Sequence, residues 1–287
     1  MWNPFNRNTI SNSSASKRSL QLITQKGMPF AYVEAYKALR TNLNFLSGSG
    51  DVHAFVVTST VPEEAKSNVS VNLALALTES GKKVVLVDCD LRKPVLHRYL
   101  KAGHNLKGVS NVLSRQVALS DALVEPKGIP NLTFLPAGTT PPNPSELLSQ
   151  PQMQEMVATL RGSYDFVILD APPISMVTDA AVIGRIVDGA LFVVRSKYAS
   201  TDAVKTALEK LQDAGVKVLG AVLTRYDAKK SLKRSDYGYG YYYYNSNYSY
   251  GTPPDSISES AAEKSCLTSK KQHNGKEKHS VHTEDET

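Results

Sequence analysis

The sequence predicts an α/β fold in which a doubly wound, mostly parallel β-sheet is flanked by helices. Short apolar runs rich in Val, Ile and Leu recur along the chain, and segments with helical periodicity lie between them. These runs are apolar almost throughout instead of alternating with polar residues, which is typical of strands buried on both faces of a parallel sheet. Several of them end abruptly in polar or acidic residues, where the ligand-binding edge of such a sheet would lie.

The elements follow in a regular order. A first helix is predicted over residues 30–46, where apolar residues recur at helical spacing. Three further helical segments are KSNVSVNLALALTES, a helical turn near residues 178–186, and TDAVKTALEKLQDAG. Six strands are predicted, in the runs HAFVVTS, KKVVLVD, NLTFLPAG, YDFVILDAPP, GALFVVRS and VKVLGAVLTR.

Composition divides the 287 residues into four parts. Residues 1–28 are polar and predict a flexible N-terminal arm, and residues 29–226 hold the apolar runs of the folded domain. Residues 227–251 form a low-complexity cluster of Tyr, Gly, Ser and Asn, and residues 252–287 a disordered polar tail. The tail and the arm are too poor in large apolar residues to form a core.

Charge and hydropathy exclude several classes of protein. The net charge of +6 is moderate, so it indicates an anionic partner without the dense basic tract of a nucleic-acid binder. The sequence has two cysteines, which predict no disulfide framework, and no apolar run of 18 residues or signal peptide. We expect a cytoplasmic protein that reaches a membrane only through a partner.

The stretch VPEEAKSN, residues 61–68, joins the first strand to a helix and has the features of a phosphate-binding loop. In that interpretation Lys66 contacts the β- and γ-phosphates of a nucleotide and the Ser67 hydroxyl is a ligand of Mg²⁺. The candidate nucleotide-binding residues are Glu63, Glu64, Ala65, Lys66, Ser67 and Asn68.

Acidic residues end two other strands of the predicted sheet. Asp88 and Asp90 follow the second strand, and Asp170 ends the fourth, where a buried run meets a carboxylate of Walker B type. Each motif alone has a plain structural explanation, because an Asp at a strand end also caps helices. Their order on successive strand ends favours a nucleotide site.

These segments resemble one family. VVLVDCDLRKP, FVILDAPP, LPAGTTPPNPSELL and the helix EAYKALRTNL are similar to the bacterial tyrosine kinases of capsule and exopolysaccharide synthesis, a branch of the P-loop ATPases. The resemblance implies a P-loop NTPase-like fold and transfer of the γ-phosphoryl of ATP, with Mg²⁺, to tyrosines. Those tyrosines would be chiefly the chain's own cluster: Tyr237, Tyr239, Tyr241, Tyr242, Tyr243, Tyr244, Tyr248 and Tyr250.

The resemblance also implies roles for single residues. Asp88 would deprotonate the incoming tyrosine, Asp90 would assist through Mg²⁺, and Lys66 would act in catalysis. Ser67, Asp88 and Asp170 would hold the metal.

Partners are implied in the same way. Glu34, Lys37 and Arg40 match a subunit-contact pattern of the family, with Lys37 in place of an arginine, and imply a ring-like homo-oligomer. A transmembrane polysaccharide co-polymerase or adaptor would hold the protein at the inner face of the membrane. A tyrosine phosphatase is expected as a further partner.

The loop departs from the family at two positions. Glu63 and Ala65 stand where the family has glycine, and glycine lets the backbone take conformations that are costly for other residues. Unless they swing into solvent, the carboxylates of Glu63 and Glu64 would also weaken ATP binding, because like charges repel. An active autokinase with a weakened loop and an inactive scaffold relative therefore both stay open. A partitioning-type ATPase is the third alternative, although it leaves the tyrosines unexplained.

Overall fold

The computed structural model describes residues 21–48, 52–103 and 105–226. Six parallel strands form one sheet in the order β3-β2-β4-β1-β5-β6. The chain therefore winds outwards in both directions from β1 and β4 at the centre, which is the doubly wound topology expected from the sequence. The predictions for residues 1–20, 227–251 and 252–287 lie outside the described residues.

The strands and helices alternate along the chain, with several short helices between β2 and β4. Their bounds are α1 Phe30–Gly48, β1 Ala54–Ser59, α2 Lys66–Glu79, β2 Val84–Asp88, α3 Leu96–Tyr99, α4 Val109–Leu113, α5 Leu119–Ala122, β3 Leu132–Leu135, α6 Pro144–Leu148, α7 Pro151–Arg161, β4 Phe166–Asp170, α8 Asp179–Gly184, β5 Ala190–Arg195, α9 Thr201–Asp213 and β6 Val218–Thr224.

All six predicted strands are confirmed, but the prediction that all are buried on both faces is wrong for β6. This strand lies at the edge of the sheet and is partly exposed, with Leu223 about half exposed. The sequence interpretation also missed helices α3 to α7. In α7 the signal was present, because Met153, Met156, Val157 and Leu160 follow helical spacing and are buried.

The core consists of two apolar layers, one on each face of the sheet. Buried residues of α1, α2 and α3 form one layer, among them Tyr36, Leu43 and Leu96. Residues of α4 to α9, including Met153 and Leu211, form the other. Because both faces are covered, the carboxyl edge of the strands is the part of the sheet left for a ligand.

A short part of the stretch predicted as an N-terminal arm contacts the core. Ile23 is buried in the layer with α1 and α2, and its backbone N–H donates to Asn72 Oδ1 at 2.8 Å. Leu22 and Ile23 therefore pack against the domain, within the stretch predicted as an N-terminal arm. Within the described ranges, no helix is long and apolar enough to cross a membrane.

Candidate active site

The loop between β1 and α2 keeps a left-handed backbone at the two positions without glycine. Glu63 has φ 73° and Ala65, the residue before α2, has φ 72° and ψ 24°. Residues other than glycine adopt this region at a cost of about 1–3 kcal/mol, and do so where the surroundings fix it. The loop thus has the conformation for which glycine is suited, although neither residue is glycine.

Glu64 lies between these two residues and fixes the loop from within the protein. Its side chain is buried, and its carboxylate accepts hydrogen bonds from the backbone N–H groups of Val61 at 2.9 Å and Arg195 at 3.2 Å. Its own carbonyl accepts from the Thr224 hydroxyl at 2.9 Å. The loop is therefore tied to the ends of β5 and β6, and the Glu64 carboxylate does not swing into solvent.

Lys66, the first residue of α2, reaches acidic groups from two other strand ends. Its Nζ lies 3.1 Å from Asp90 Oδ2 and 3.3 Å from Asp170 Oδ2. Asp170 is fully buried at the end of β4, and Asp90 follows β2. Residues far apart in sequence thus meet at the carboxyl edge, as the strand-end motifs predict.

Two hydroxyls of α2 complete the surroundings of Asp170. Ser67 Oγ donates to Asp170 Oδ2 at 2.6 Å, and Ser70 Oγ donates to Asp170 Oδ1 at 2.9 Å. Ser70 was not among the predicted site residues, although its spacing of one helical turn from Lys66 places it on the same face of α2. A buried carboxylate needs such partners, since an unpaired buried charge is costly.

Asp88 stands beside Asp170 in the sheet, because β2 and β4 pair in parallel with these two residues in register. Burial raises the pKa of Asp88 to about 8; the neighbouring Asp170 carboxylate adds to the rise, and Lys66 opposes it. Backbone N–H groups of Asp90 and Leu96 bind its two carboxylate oxygens. A fixed carboxyl group with a raised pKa is suited to accept a proton from a weak acid such as a phenol.

Lys66 and Asp170 influence each other strongly. Burial lowers the pKa of Lys66, but the attraction of Asp170 and Asp90 outweighs it, so that the pKa is raised above its ordinary value. Burial raises the pKa of Asp170, against the opposing effects of Lys66, Ser67 and Ser70. The ammonium group thus stays charged in the site, where an anion would bind.

The loop, the lysine and the strand-end aspartates match proteins of known activity. An AAA domain model matches residues 64–218. The tyrosine-protein kinase YwqD of Bacillus subtilis is 37% identical over 71% of this chain and 84% of its own length. The solved structure of the kinase domain of the Escherichia coli tyrosine kinase ETK is 33% identical, with a TM-score of 0.64, over 72% of this chain and 80% of its own. The chain belongs to the bacterial tyrosine-protein kinases.

The wider fold is also shared by more distant proteins. The septum site-determining protein MinD from Pyrococcus horikoshii, solved with Mg-ADP, is 24% identical and has a TM-score of 0.53 over 64% of this chain. At this identity the likeness shows the fold alone. It places the kinase among proteins with a P-loop NTPase-like sheet.

The oxygen groups around Asp170 in the kinase suit a magnesium ion shared with a nucleotide. Mg²⁺ prefers oxygen ligands and is usually held by one or two carboxylates together with substrate phosphates. Ser67 and Asp170 offer a hydroxyl and a carboxylate, with Asp88 in the adjacent strand. Within the part of the chain that the structure describes, no group of three or more His, Cys, Asp or Glu residues could hold a metal alone.

Asn68, a predicted nucleotide-binding residue, has its side chain on the side of α1. Its Oδ1 accepts from the hydroxyls of Tyr32 at 2.9 Å and Tyr36 at 3.2 Å, and its Nδ2 donates to the carbonyl of Gln21. The side chain of Asn68 thus links the helix of the phosphate-binding loop to α1 and the N-terminal segment. Its backbone N–H is the group that stays a candidate for phosphate binding.

A cluster that the sequence interpretation missed lies beside the aspartates. Arg92 donates through Nε to the buried Asp179 at 3.2 Å and through a terminal nitrogen to Ser145 Oγ at 2.8 Å. Ser145 in turn donates to Asp179. Arg92 and Ser145 lie in the recognised segments LRKP and NPSELL, but nothing in the spacing indicated that they meet.

The three residues of the predicted subunit contact are placed on α1 as expected, but all of them have partners within this chain. Lys37 pairs with Glu34 at 2.7 Å, one helical turn away. Arg40 donates to the carbonyl of Ala76 in α2 at 2.9 Å. Their role in an oligomer stays a prediction.

Proposed function

We propose that this kinase transfers the γ-phosphoryl group of ATP to tyrosines of its own segment 237–250 and thereby regulates capsular or exopolysaccharide synthesis. The observation that carries this proposal is the meeting of Lys66, Ser67, Asp90 and Asp170 within hydrogen-bonding distance, at the edge where β1, β2 and β4 end. A cation, a hydroxyl and carboxylates in this arrangement are the groups that phosphoryl transfer requires.

Each group has a distinct part in the reaction. Lys66 binds the β- and γ-phosphates, and the N–H groups of the loop and of the first turn of α2 surround them. Ser67 and Asp170, with Asp88, would hold Mg²⁺, which would neutralise charge on the phosphates when bound. These donors come from rigid elements, so little reorganisation is needed during the reaction.

Asp88 accepts the proton of the acceptor tyrosine. The phenolic oxygen then bonds to the γ-phosphorus while the bond from that phosphorus to the bridging oxygen breaks, and ADP leaves. An unperturbed tyrosine has a pKa of about 10, so a base beside the nucleophile assists at neutral pH. Asp90 assists by holding the Lys66 ammonium at 3.1 Å.

We place the kinase at the inner face of the cell membrane, where a transmembrane polysaccharide co-polymerase or adaptor would hold it. Assembly into a ring through α1, with Glu34, Lys37 and Arg40 at the contact, would present one subunit's tyrosines to its neighbour's site. A tyrosine phosphatase would reverse the modification. Similarity to tyrosine-protein kinases supports the chemistry, and the partners rest on the family resemblance of the sequence.

One observation favours the scaffold as a second candidate. Glu63 and Ala65 occupy left-handed backbone conformations that are favourable only for glycine, so backbone strain destabilises the loop. A protein that no longer transfers phosphoryl groups would tolerate such a loss. However, an inactive scaffold would not need to retain Lys66, Asp88 and Asp170 in their present arrangement, so their retention favours the active kinase.

The experiment is incubation of the purified full chain with labelled ATP and Mg²⁺, with and without the adaptor's cytoplasmic segment, followed by mapping of phosphotyrosine. We expect label between Tyr237 and Tyr250 that disappears in Lys66→Ala and persists in Lys205→Ala, an exposed lysine of α9. Absence of label from the wild type under both conditions, together with absence of nucleotide binding, would leave the scaffold function.

A further inference from the structure

One segment of the chain carries positive charge with no acidic residue to balance it. Residues 91–120 contain no Asp or Glu and six cationic residues, namely Arg92, Lys93, Arg98, Lys101, Lys107 and Arg115. The whole chain has 33 Lys and Arg against 27 Asp and Glu, so the other 27 cationic residues are balanced by 27 acidic ones. The net charge of +6 therefore equals the charge of this segment.

Five of the six cations lie in the stretch from Arg92 to Lys107, and both ends of this stretch are fixed at the sheet edge that carries the active site. Its first cation, Arg92, lies two residues beyond Asp90, after the end of β2. After Lys107 the chain returns to the end of β3, where the N–H of Val109 donates to the carbonyl of Pro136 at 2.8 Å. Gly108 makes this approach possible, because a Cβ there would lie 1.9 Å from the same oxygen.

Between these ends the apolar residues point inwards and the cations outwards. Leu96 and Leu100 are buried in the core layer of α1 and α2. Four cationic residues are exposed and, within the described ranges, have no acidic partner; we call them the basic rim: Lys93, Arg98, Lys101 and Lys107. Arg92 is excluded because it pairs with Asp179, and Arg115 because it follows α4, beyond the stretch between these two ends.

The proposed reaction creates a partner of matching charge. Residues 237–250 contain eight tyrosines and no charged residue. Each phosphorylation adds about −1.5 to −2 charges and three strong acceptor oxygens. A segment that is neutral before the reaction therefore becomes strongly anionic after it, so its attraction to exposed cations arises from the modification itself.

Position and chain length favour this partner over another anionic surface. The basic rim begins three residues beyond Asp90, beside the site where phosphotyrosine would form. Ten residues separate Tyr226, the last described residue, from Tyr237, and they span up to about 33 Å when extended. The end of β6 is four strands from β2, which is about 19 Å at the usual strand spacing.

We propose that the basic rim binds the phosphorylated segment 237–250, either from the same chain or from a neighbouring copy. This inference rests on the proposed function, since autophosphorylation supplies the ligand. Binding of the product beside the active site would make it compete with unphosphorylated tyrosines, so the reaction would slow as phosphate accumulates on the segment.

The test is a binding measurement that needs no kinase activity. A fluorescent peptide of residues 237–250, phosphorylated on Tyr241, Tyr242, Tyr243 and Tyr244, is titrated with the full chain after treatment with a tyrosine phosphatase and its removal. We expect the phosphopeptide to bind at least about tenfold more tightly than the unphosphorylated peptide. The affinity should fall steeply with added salt, because exposed charges are screened over about 10 Å at 0.1 M.

A matched pair of variants tests the location. Arg98→Gln, Lys101→Asn and Lys107→Gln together remove three charges of the basic rim, and asparagine suits the positive φ of 51° at Lys101. The control removes three exposed lysines elsewhere, by Lys205→Gln, Lys210→Gln and Lys217→Gln. We expect the first variant to weaken phosphopeptide binding at least about fivefold and the control to leave it within about twofold.

Three results would overturn the inference: equal affinity for the two peptides, equal loss in the two variants, or rim-dependent binding only to vesicles containing phosphatidylglycerol. Thermal unfolding of both variants checks that their folds are retained. If the labelled-ATP experiment shows no transfer but the phosphopeptide binds, the basic rim would be a phosphotyrosine-binding site whose ligand another kinase produces. If transfer succeeds and the peptide does not bind, only the basic rim is refuted.

Discussion

The buried carboxylate of Glu64 accepts a hydrogen bond from the backbone N–H of Arg195, 131 residues further along the chain. The same carboxylate binds the N–H of Val61, at the start of the phosphate-binding loop. Glu64 therefore joins the loop to the end of β5 and holds the two left-handed residues beside it in place. The sequence suggested that this glutamate would disturb a phosphate site; its contacts indicate that it supports one.

Replacement of Glu64 by alanine should destabilise the protein and loosen the loop. The N–H groups of Val61 and Arg195 would lose their partner, and each buried group left without one costs about 1–3 kcal/mol. We expect urea unfolding to show a loss of about 2–4 kcal/mol and nucleotide affinity to fall at least about tenfold. Glu209→Ala, an exposed position on α9, is the control and should change stability by less than about 0.5 kcal/mol.

Restoring glycine at Ala65 should relieve backbone strain. The left-handed conformation costs alanine about 1 kcal/mol or more, against a smaller loss from the greater freedom of glycine in the unfolded chain. We expect Ala65→Gly to stabilise the protein by about 0.5–1 kcal/mol and to tighten nucleotide binding.

Ala158→Gly provides the matched comparison for this prediction. Ala158 is exposed within α7, where the backbone is helical, so glycine should cost about 1 kcal/mol. Opposite signs for the two substitutions in denaturant unfolding would support strain at residue 65. A similar destabilisation by both would contradict it.

Asp188 should make stability depend on pH at acid values. It binds the N–H groups of His53 and Ala54 at the start of β1 and pairs with Arg161. Burial opposes its ionisation, but these hydrogen bonds and the guanidinium prevail, so the pKa of Asp188 lies below its ordinary value of 3.8. Because the pKa of Asp188 is lowered on folding, its contribution to stability is complete above its pKa in the unfolded chain. This contribution is lost as the pH falls through its pKa in the folded protein.

We therefore expect Asp188→Asn to destabilise the protein by about 1–3 kcal/mol at pH 7, because hydrogen bonds to a charged group are weakened. The difference from the wild type should shrink as the pH falls below about 4, where the wild type also loses the charge. Thermal unfolding of both proteins from pH 3 to pH 7 measures this difference in stability. A difference that stays constant over that range would show that the charge of Asp188 does not contribute.

The parts of the fold that could be predicted are those with a strong local signal. Each of the six strands is an apolar run bounded by polar residues, and α1, α2 and α9 show helical periodicity. Strand ends of a parallel sheet share one edge, so the order of the motifs alone was enough to expect Lys66, Asp90 and Asp170 to meet. Periodicity was not enough for α3 to α6, which have only four or five residues each.

What could not be predicted depends on contacts between distant segments. From the sequence, the Glu64 carboxylate was expected to face either solvent or phosphate. Its partner in the structure, the backbone N–H of Arg195, could not be expected because no sequence pattern links residues 64 and 195. In the same way, Arg92 and Ser145 meet through Asp179, which starts a helix on another strand connection. Asn68 was predicted to bind the nucleotide because of its position in the motif, whereas in the structure its side chain accepts hydrogen bonds from the hydroxyls of Tyr32 and Tyr36.

The central claim is that the loop still supports a working nucleotide site, and calorimetric titration of the full chain with Mg-ADP tests it most directly. We expect saturable, magnesium-dependent binding that is about tenfold or more weaker in Lys66→Ala, since a hydrogen bond to a charged group contributes about 1.5–3 kcal/mol. Lys205→Ala should bind like the wild type, with thermal unfolding as the check on folding. No binding by the wild type, or equal binding by Lys66→Ala, would contradict the account.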